Sequence, residues 1–186
     1  MQSRRMQSDS ARQALLQAMS RVDAIALVHE TLSQTMDSTV DMDDLLHRQF
    51  PMAVDIAAGS KPVTTHIEGS FGELPGQLAT PLALVVNELA TNAVEHGTDE
   101  VGGTITLLTK RLQRADQSYP YLKVEVIDEG VIDGPIASET IGSGLGTQII
   151  RTLVESDLRG TITWERQPDQ RGAAGTRAVV LIPLDH

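Results

Sequence analysis

Three polar side chains recur at helical spacing between residues 81 and 97. Glu88, Asn92 and His96 fall at i, i+4 and i+8, so a helix would place a carboxylate, an amide and an imidazole in one column. The apolar positions beside this column have the spacing of a core-facing stripe: Leu82, Val85, Val86, Leu89 and Ala93. The column therefore lies at the edge of a core, where a ligand is partly sheltered from water. Taken alone, the segment also fits the solvated flank of an amphipathic helix.

A second group of residues that could bind a ligand follows an apolar strand. Val126 and Ile127 lead into Asp128, and Gly130 comes two residues later. A buried carboxylate at Asp128 can accept a hydrogen bond from the exocyclic amine of adenine, and Gly130 would let the backbone pass close to the base. An ordinary turn at the end of a strand is the alternative explanation of these residues.

A third group is a glycine-rich loop that leads into a helix. Gly142, Gly144 and Gly146 precede Thr147, where an apolar-striped helix begins. Unhindered backbone N–H groups at a helix N-terminus favour a bound phosphate. The loop lacks the Gly-Lys-Ser/Thr of a P-loop, and it does not open a dinucleotide-binding βαβ unit. A fourth and weaker signal is the pair Gly175-Thr176, which opens the last predicted strand.

The elements that must position these groups follow from residue periodicity. Alternating apolar residues predict five strands, at 63–67, 104–109, 121–127, 161–165 and 176–182. Helical spacing and capping residues predict four helices, at 11–33, 41–50, 81–97 and 147–158. This mixture predicts an α+β fold in which helices cover one mixed sheet. The helix 11–33 is apolar around much of its girth, so it is expected to pack in a bundle, within the chain or between two chains.

Composition excludes several classes of protein. The chain has 186 residues and a formal charge of −10, which argues against nonspecific binding to nucleic acid. It contains no cysteine, so disulfides, thiolate catalysis and cysteine-ligated metals are excluded. No apolar run is long enough to span a bilayer, and the first residues lack the hydrophobic segment of a signal peptide. A cytoplasmic protein that does not contact the membrane is expected.

The ordered set of motifs resembles the N box and the three glycine boxes of the Bergerat-type ATPases, the superfamily of gyrase, Hsp90, histidine kinases and MutL. The resemblance covers residues 79–184, and the segment 87–97 is most similar to the histidine kinase form. The segments 2–5, 11–15 and 21–32 resemble the second type of HisKA dimerisation domain, especially that of cytosolic actinobacterial sensor kinases paired with RNA-binding antiterminator regulators.

The resemblance implies a division of the chain and a fold for each part. Residues 1–37 would be partial dimerisation helices, and residues 38–186 an ATP-binding catalytic domain with the Bergerat-type sandwich. In this family the phosphorylated histidine lies on the helix before the segment that matches here, so the phosphoacceptor helix is expected to be truncated. His29 shares a face with Leu15 and Val22, and we interpret it as a packed residue.

Roles for individual residues come from the same resemblance. Asn92 would coordinate Mg²⁺, Glu88 would polarise the attacking group, and both are therefore expected to be catalytic. The residues expected to bind ATP are Asn92, His96, Asp128, Gly130, Gly142, Gly144, Leu145, Gly146, Thr147 and Thr176. Magnesium suits such a site, because it binds through few protein ligands together with phosphate oxygens.

Three departures from the family pattern predict weak ATP binding. Val131 and Ile132 stand where the first glycine box usually continues to a second glycine. Glu95 stands where many kinases have a lysine. The segment between Gly130 and Gly142 has no arginine or lysine, so the transition-state charge must be met by the metal and by backbone dipoles.

The resemblance implies the catalytic region of a two-component sensor histidine kinase. It would bind Mg-ATP and transfer the γ-phosphoryl group to a histidine, from which the receiver domain of a response regulator takes it. A homodimer through the N-terminal helices is expected, with no direct contact to nucleic acid. One alternative is an anti-sigma-type serine kinase of the same fold, although the long N-terminal helix counts against it. Another is a non-catalytic module whose dimer contacts are switched by ATP.

Overall fold

The computed structural model describes residues 39–98, 101–113, 119–129, 145–168 and 174–184. The elements run in the order β1 (Thr39–Asp41), α1 (Met42–Ala58), β2 (Val63–Glu68), β3 (Glu73–Pro75), α2 (Gly76–Gly97), β4 (Gly103–Gln113), β5 (Pro120–Asp128), α3 (Leu145–Thr152), a π-helical turn (Leu153–Asp157), β6 (Thr161–Pro168) and β7 (Ala174–Pro183). The predicted helix 11–33 lies outside the described residues. So do Gly130, Gly142 and Gly144.

Five strands form one mixed sheet in the order β2-β4-β5-β7-β6. The strands β2 and β4 are parallel, because the helix α2 carries the chain back across the sheet between them. The remaining neighbours, β4-β5, β5-β7 and β6-β7, are antiparallel. Residues from the helices and from one face of the sheet form a single hydrophobic core. The predicted α+β class with one mixed sheet is therefore confirmed.

Two helices are longer than periodicity predicts, and each runs through a proline. The helix α2 begins at Gly76 rather than at Pro81, and α1 continues past Pro51 to Ala58. A proline removes one backbone hydrogen bond, but both helices keep a buried apolar face on either side of it. On α1, Phe50 and Val54 flank Pro51 and are fully buried. Packing on the core outweighs the lost hydrogen bond.

A small two-stranded sheet was not predicted. The three-residue strands β1 and β3 pair antiparallel, with Val40 opposite Leu74. The glycine- and proline-containing segment 68–75 is typical of a loop, and this expectation is wrong at its end, where Glu73–Pro75 form β3. Strands this short have no alternation to detect, but Val40 and Leu74 are both 2% exposed. The small sheet closes the core beside α1 and α2.

Period-two alternation along β5 determines where its last residue points. Leu122, Val124 and Val126 are buried in the core that the helices share with the sheet. Asp128 continues this series and is 4% exposed, so the strand delivers its carboxylate on the helical side of the sheet. No helix in the described part of the chain is long and apolar enough to cross a bilayer.

Asp43 fastens the first turn of α1 to the loop before β3. Its carboxylate accepts hydrogen bonds from the Ser70 hydroxyl at 2.6 Å and from the backbone N–H groups of Phe71 at 2.7 Å and Gly72 at 3.1 Å. Burial alone would raise the pKa of the Asp43 carboxyl, but these hydrogen bonds outweigh burial and hold the pKa below its ordinary value of 3.8. The ionised carboxylate therefore stabilises the fold.

Replacing Asp43 with asparagine is expected to lower the free energy of unfolding at pH 7 by about 1–2 kcal/mol, because an amide cannot accept all three hydrogen bonds. The folded protein binds the Asp43 proton more weakly than the unfolded chain does. The stabilisation is thus complete above the unfolded pKa and is lost as the pH falls through the lower, folded pKa. Urea unfolding at several pH values measures this difference between wild type and D43N.

The matched control for this prediction is Asp44→Asn, one residue along the same turn. Asp44 pairs with Arg48 at 2.7 Å, and both side chains are more than half exposed, so its loss should cost only a few tenths of a kcal/mol. A difference between wild type and D43N that stays constant from pH 7 down to about pH 2 would contradict the role given to the Asp43 carboxylate.

Candidate functional site

The predicted column on α2 runs from the core to the surface. Glu88 is 5% exposed, Asn92 is half-buried, and His96 is exposed near the end of the helix. At 1.5 Å per residue, the column spans about 12 Å along the helix axis. The apolar positions beside it are buried as predicted, with Leu82 and Val85 fully enclosed. The carboxylate is therefore the most sheltered group of the column and the imidazole the least.

Asp128 lies between two segments that are distant in sequence. Its Oδ1 atom accepts a hydrogen bond of 3.0 Å from the backbone N–H of Thr176 on β7. On its other side it meets Gly97, the last residue of α2, because a Cβ atom placed on Gly97 would fall within 2.6 Å of Asp128 Oδ1. The structure thus brings together the end of the polar helix, the predicted base-binding aspartate and the predicted Gly-Thr pair.

The predicted base-binding and metal-binding groups lie at different points along the axis of α2. Asp128 marks the C-terminal end of the helix, beside Gly97. Asn92 lies five residues earlier, about 7.5 Å back along the axis, and Glu88 lies another turn back. A ligand that binds Asp128 at one end and the Asn92 amide at the other must therefore be elongated, with chemically different ends.

The helix that follows the predicted glycine loop packs against the same polar helix. It begins at Leu145 and contacts α2. Thr147, in its first turn, is 7% exposed, and Gly146 is half-buried. Gly130, Gly142 and Gly144 lie outside the described residues, so their predicted part in the loop stays a prediction.

Two glycines at this site lie so close to Asp128 that a side chain would not fit, a contact that residue types alone did not indicate. Gly97 and Gly175 both border Asp128 at distances that leave no room for a side chain. Each stands within a predicted motif, Gly97 at the end of the polar helix and Gly175 directly before Thr176. Their positions were therefore visible in the sequence, but the contact with Asp128 depends on the tertiary structure.

The donor set suits a metal that takes only part of its coordination from protein. Within the described ranges, no three His, Cys, Asp or Glu side chains cluster closely enough to hold an ion. Asn92 offers one amide oxygen as a ligand, and Glu88, one helical turn earlier, adds a negative charge nearby. Oxygen ligands of this kind, few in number, fit Mg²⁺ that completes its shell with phosphate oxygens and water.

Comparison with known families decides the class of this fold. A model described as the histidine kinase-, DNA gyrase B- and HSP90-like ATPase matches residues 77–186. The chain belongs to this ATPase family. A second model, described as histidine kinase, matches residues 1–54. The ATPase match spans the polar column, Asp128, the glycine loop and Thr176, so these residues lie in an ATP-binding region.

Individual relatives show which members of the ATPase family this chain is similar to. The chain is 34% identical over 186 residues to the sensor histidine kinase PdtaS of Mycobacterium tuberculosis, with 99% of this chain aligned. PdtaS of Mycolicibacterium smegmatis matches to the same extent. The chain spans 35% of the length of these relatives. It is thus homologous to one region of sensor histidine kinases.

A solved structure supports the fold. The histidine kinase domain of the blue-light activated histidine kinase EL346 from Erythrobacter litoralis superposes with a TM-score of 0.72. The match covers 90% of this chain and 75% of that one, at 23% sequence identity. At this identity the likeness concerns the fold alone. It agrees with the five-stranded mixed sheet and the covering helices.

Proposed function

We propose that this chain is the ATP-binding catalytic region of a two-component sensor histidine kinase. It binds Mg-ATP and transfers the γ-phosphoryl group to a histidine on the dimerisation helices, and an aspartate of a response regulator then takes that group. The observation that supports this best is the placement of Asp128 beside Gly97, the last residue of α2, which lies five residues beyond Asn92 along the helix. This is the order that an elongated nucleotide requires, with the base at one end and the phosphates at the other.

Asp128 selects adenine through hydrogen-bond polarity. The Thr176 N–H already donates to Oδ1, which fixes the orientation of the carboxylate. An ionised carboxylate only accepts hydrogen bonds, so it attracts the exocyclic amine of adenine and repels the carbonyl oxygen that guanine carries at the same position. Burial strengthens this discrimination, because a mismatched polar pair has no water to compensate it.

Asn92 and Glu88 act at the phosphate end. Asn92 would hold the Mg²⁺ ion, whose charge would offset that of the phosphate oxygens. The imidazole nitrogen of the acceptor forms a bond to the γ-phosphorus while the bond from that phosphorus to the β,γ-bridging oxygen breaks, and ADP leaves with the electron pair. Glu88 polarises the attacking imidazole and accepts its proton. The first turn of α3 borders the phosphates, and His96, one residue before Gly97, contacts the nucleotide nearer the Asp128 end of α2.

The proposal includes the domain division and the partners. Residues 1–37 form dimerisation helices, and residues 38–186 form the catalytic domain. The extent of the catalytic domain is supported by α1, which packs in the same hydrophobic core as α2. The protein forms a homodimer through the N-terminal helices, acts in the cytoplasm and signals to a receiver domain. The charge of −10 disfavours a direct role for nucleic acid.

Calorimetric titration of the protein with Mg-ATP tests the nucleotide site. We expect one ATP per chain, with a Kd towards the weak end of the roughly 1 μM to 1 mM range that is usual for enzyme substrates. Weak binding follows from the absence of arginine and lysine between Gly130 and Gly142. Mg-GTP should bind more weakly still. No binding of ATP at millimolar concentration would contradict the proposed function, and submicromolar binding would contradict the expectation drawn from the lack of positive charge in that segment.

A further inference from the structure

We propose that Gly97 and Gly175 are positioning residues for base recognition, because together they leave the space that Asp128 occupies. Selectivity for adenine then depends on the absence of side chains at two positions that border the Asp128 carboxylate. This inference rests on the proposed role of Asp128 in binding adenine, and it assigns the geometry of that carboxylate to particular residues.

Gly97 sets the distance between α2 and β5. A Cβ atom on Gly97 would fall 2.6 Å from both Cβ and Oδ1 of Asp128, and closer still to Cγ. Side-chain atoms essentially never approach to less than 3.0 Å in this way. Both residues are buried, so neither can move aside into solvent without opening the core. The close approach of helix and strand therefore requires glycine at 97.

Gly175 sets the distance between β7 and the end of β5. A Cβ atom on Gly175 would overlap the carbonyl oxygen of Asp128 and would lie 2.9 Å from its carbonyl carbon. The next residue, Thr176, donates its N–H to Asp128 Oδ1. Separating the strands at 175 would thus lengthen the hydrogen bond that orients the carboxylate.

The two glycines differ in what a new side chain would displace. At Gly175 the obstacle is main chain, which cannot rotate away. At Gly97 the obstacle is the Asp128 side chain, whose Cγ and Oδ1 atoms can move away by rotation about χ1 at a moderate cost. The Asp128 Cβ atom, also at 2.6 Å, moves only with the backbone. Gly97→Ala is therefore expected to turn the carboxylate away from Thr176 and from the base and to displace the last residue of α2 slightly from β5, while the sheet stays in register.

A matched control stands close to the same site. A Cβ atom on Gly103, at the start of β4, would meet only Thr98 Cγ2, at 3.6 Å, which is an ordinary van der Waals contact. Gly103→Ala makes the same chemical change near the C-terminal end of α2 without crowding Asp128. It separates the effect of the Asp128 contact from the general effect of adding a methyl group.

The test compares Kd values for Mg-ATP and Mg-GTP in wild type, G97A and G103A. In G97A, ATP affinity is expected to fall at least about tenfold, the equivalent of one hydrogen bond to a charged group. GTP affinity should change little, because the phosphate end is untouched, so the ratio of the two Kd values approaches one. G103A should keep the wild-type ratio. A G97A protein that keeps the wild-type ratio would overturn the inference.

Thermal unfolding provides a second readout that does not need nucleotide. Asp128→Ala removes Cγ and both carboxylate oxygens, so Gly97→Ala should lower Tm less in the D128A background than in wild type. Equal falls in the two backgrounds would overturn the inference even if G97A alone is too unstable for binding studies. If wild type binds neither nucleotide, the proposed function fails, and the Tm comparison still decides whether Gly97 makes room for Asp128.

Discussion

Replacing Glu88 with glutamine is expected to slow phosphorylation of the acceptor histidine by about 10²- to 10⁴-fold, the usual contribution of a positioned acid–base group. Glutamine keeps the shape of the side chain and its hydrogen-bonding capacity but cannot accept a proton. Glu88 is 5% exposed, so water cannot easily replace it. The measurement is the initial rate of incorporation of radiolabelled phosphate in the full-length protein at saturating Mg-ATP.

ATP affinity in the same variant distinguishes transfer from binding. Because Asp128 and not Glu88 binds the base in this account, E88Q should bind Mg-ATP with a Kd within about threefold of wild type, a difference well under the 1.4 kcal/mol of a tenfold change. Glu165→Gln is the matched control, since Glu165 is exposed on the edge strand β6. An E88Q protein that is phosphorylated at the wild-type rate would contradict the assigned role.

The second large effect is expected at Asp128. Asp128→Asn should weaken binding of Mg-ATP by about 10- to 100-fold, because a hydrogen bond to a charged group contributes about 1.5–3 kcal/mol. An asparagine that offers its oxygen to the Thr176 N–H turns its NH₂ group towards the amine of adenine, and the opposite orientation leaves Thr176 facing a donor. Either arrangement opposes donor to donor. Calorimetric titration with ATP and GTP measures the loss.

Two controls make this result interpretable. Asp55→Asn changes an exposed carboxylate on α1 and should leave both affinities unchanged. Because Asp128 is 4% exposed, the Tm of D128N must also be recorded, so that binding is compared between folded proteins. Unchanged ATP affinity in a folded D128N protein would mean that another group binds the base.

Local periodicity was sufficient to predict most of the fold. The alternation in β2, β4, β5, β6 and β7 and the apolar stripe of α2 each report burial, and burial on one face determines the period of a strand or a helix. The wrong helix boundaries and the two missed strands have one cause. Pro51 and Pro81 would end an isolated helix, and β1 and β3 are too short to alternate, so in each case tertiary packing outweighs the local signal.

For the candidate site, the sequence could predict how residues are spaced within one helix or strand, but not how those elements meet. The spacing of Glu88, Asn92 and His96 fixes a column on any helix. What periodicity could not predict is that Gly97 touches a residue more than thirty positions later in the sequence. That contact depends on how α2 crosses the sheet, and no local pattern records it. From the sequence alone, Gly97 is typical of a residue that ends a helix, and only the structure shows that it borders Asp128.

The most direct test of the central claim is the chemical identity of the phosphorylated residue. The full-length protein is incubated with γ-labelled Mg-ATP, and the stability of the label is measured in acid and in base. A histidine kinase gives a label that is lost in acid, is retained in base and lies on a histidine, and E88Q should incorporate it about 10²- to 10⁴-fold more slowly. An acid-stable label on serine would contradict this account in favour of a serine kinase of the same fold. Retained ATP binding with no label would contradict it in favour of a non-catalytic switch.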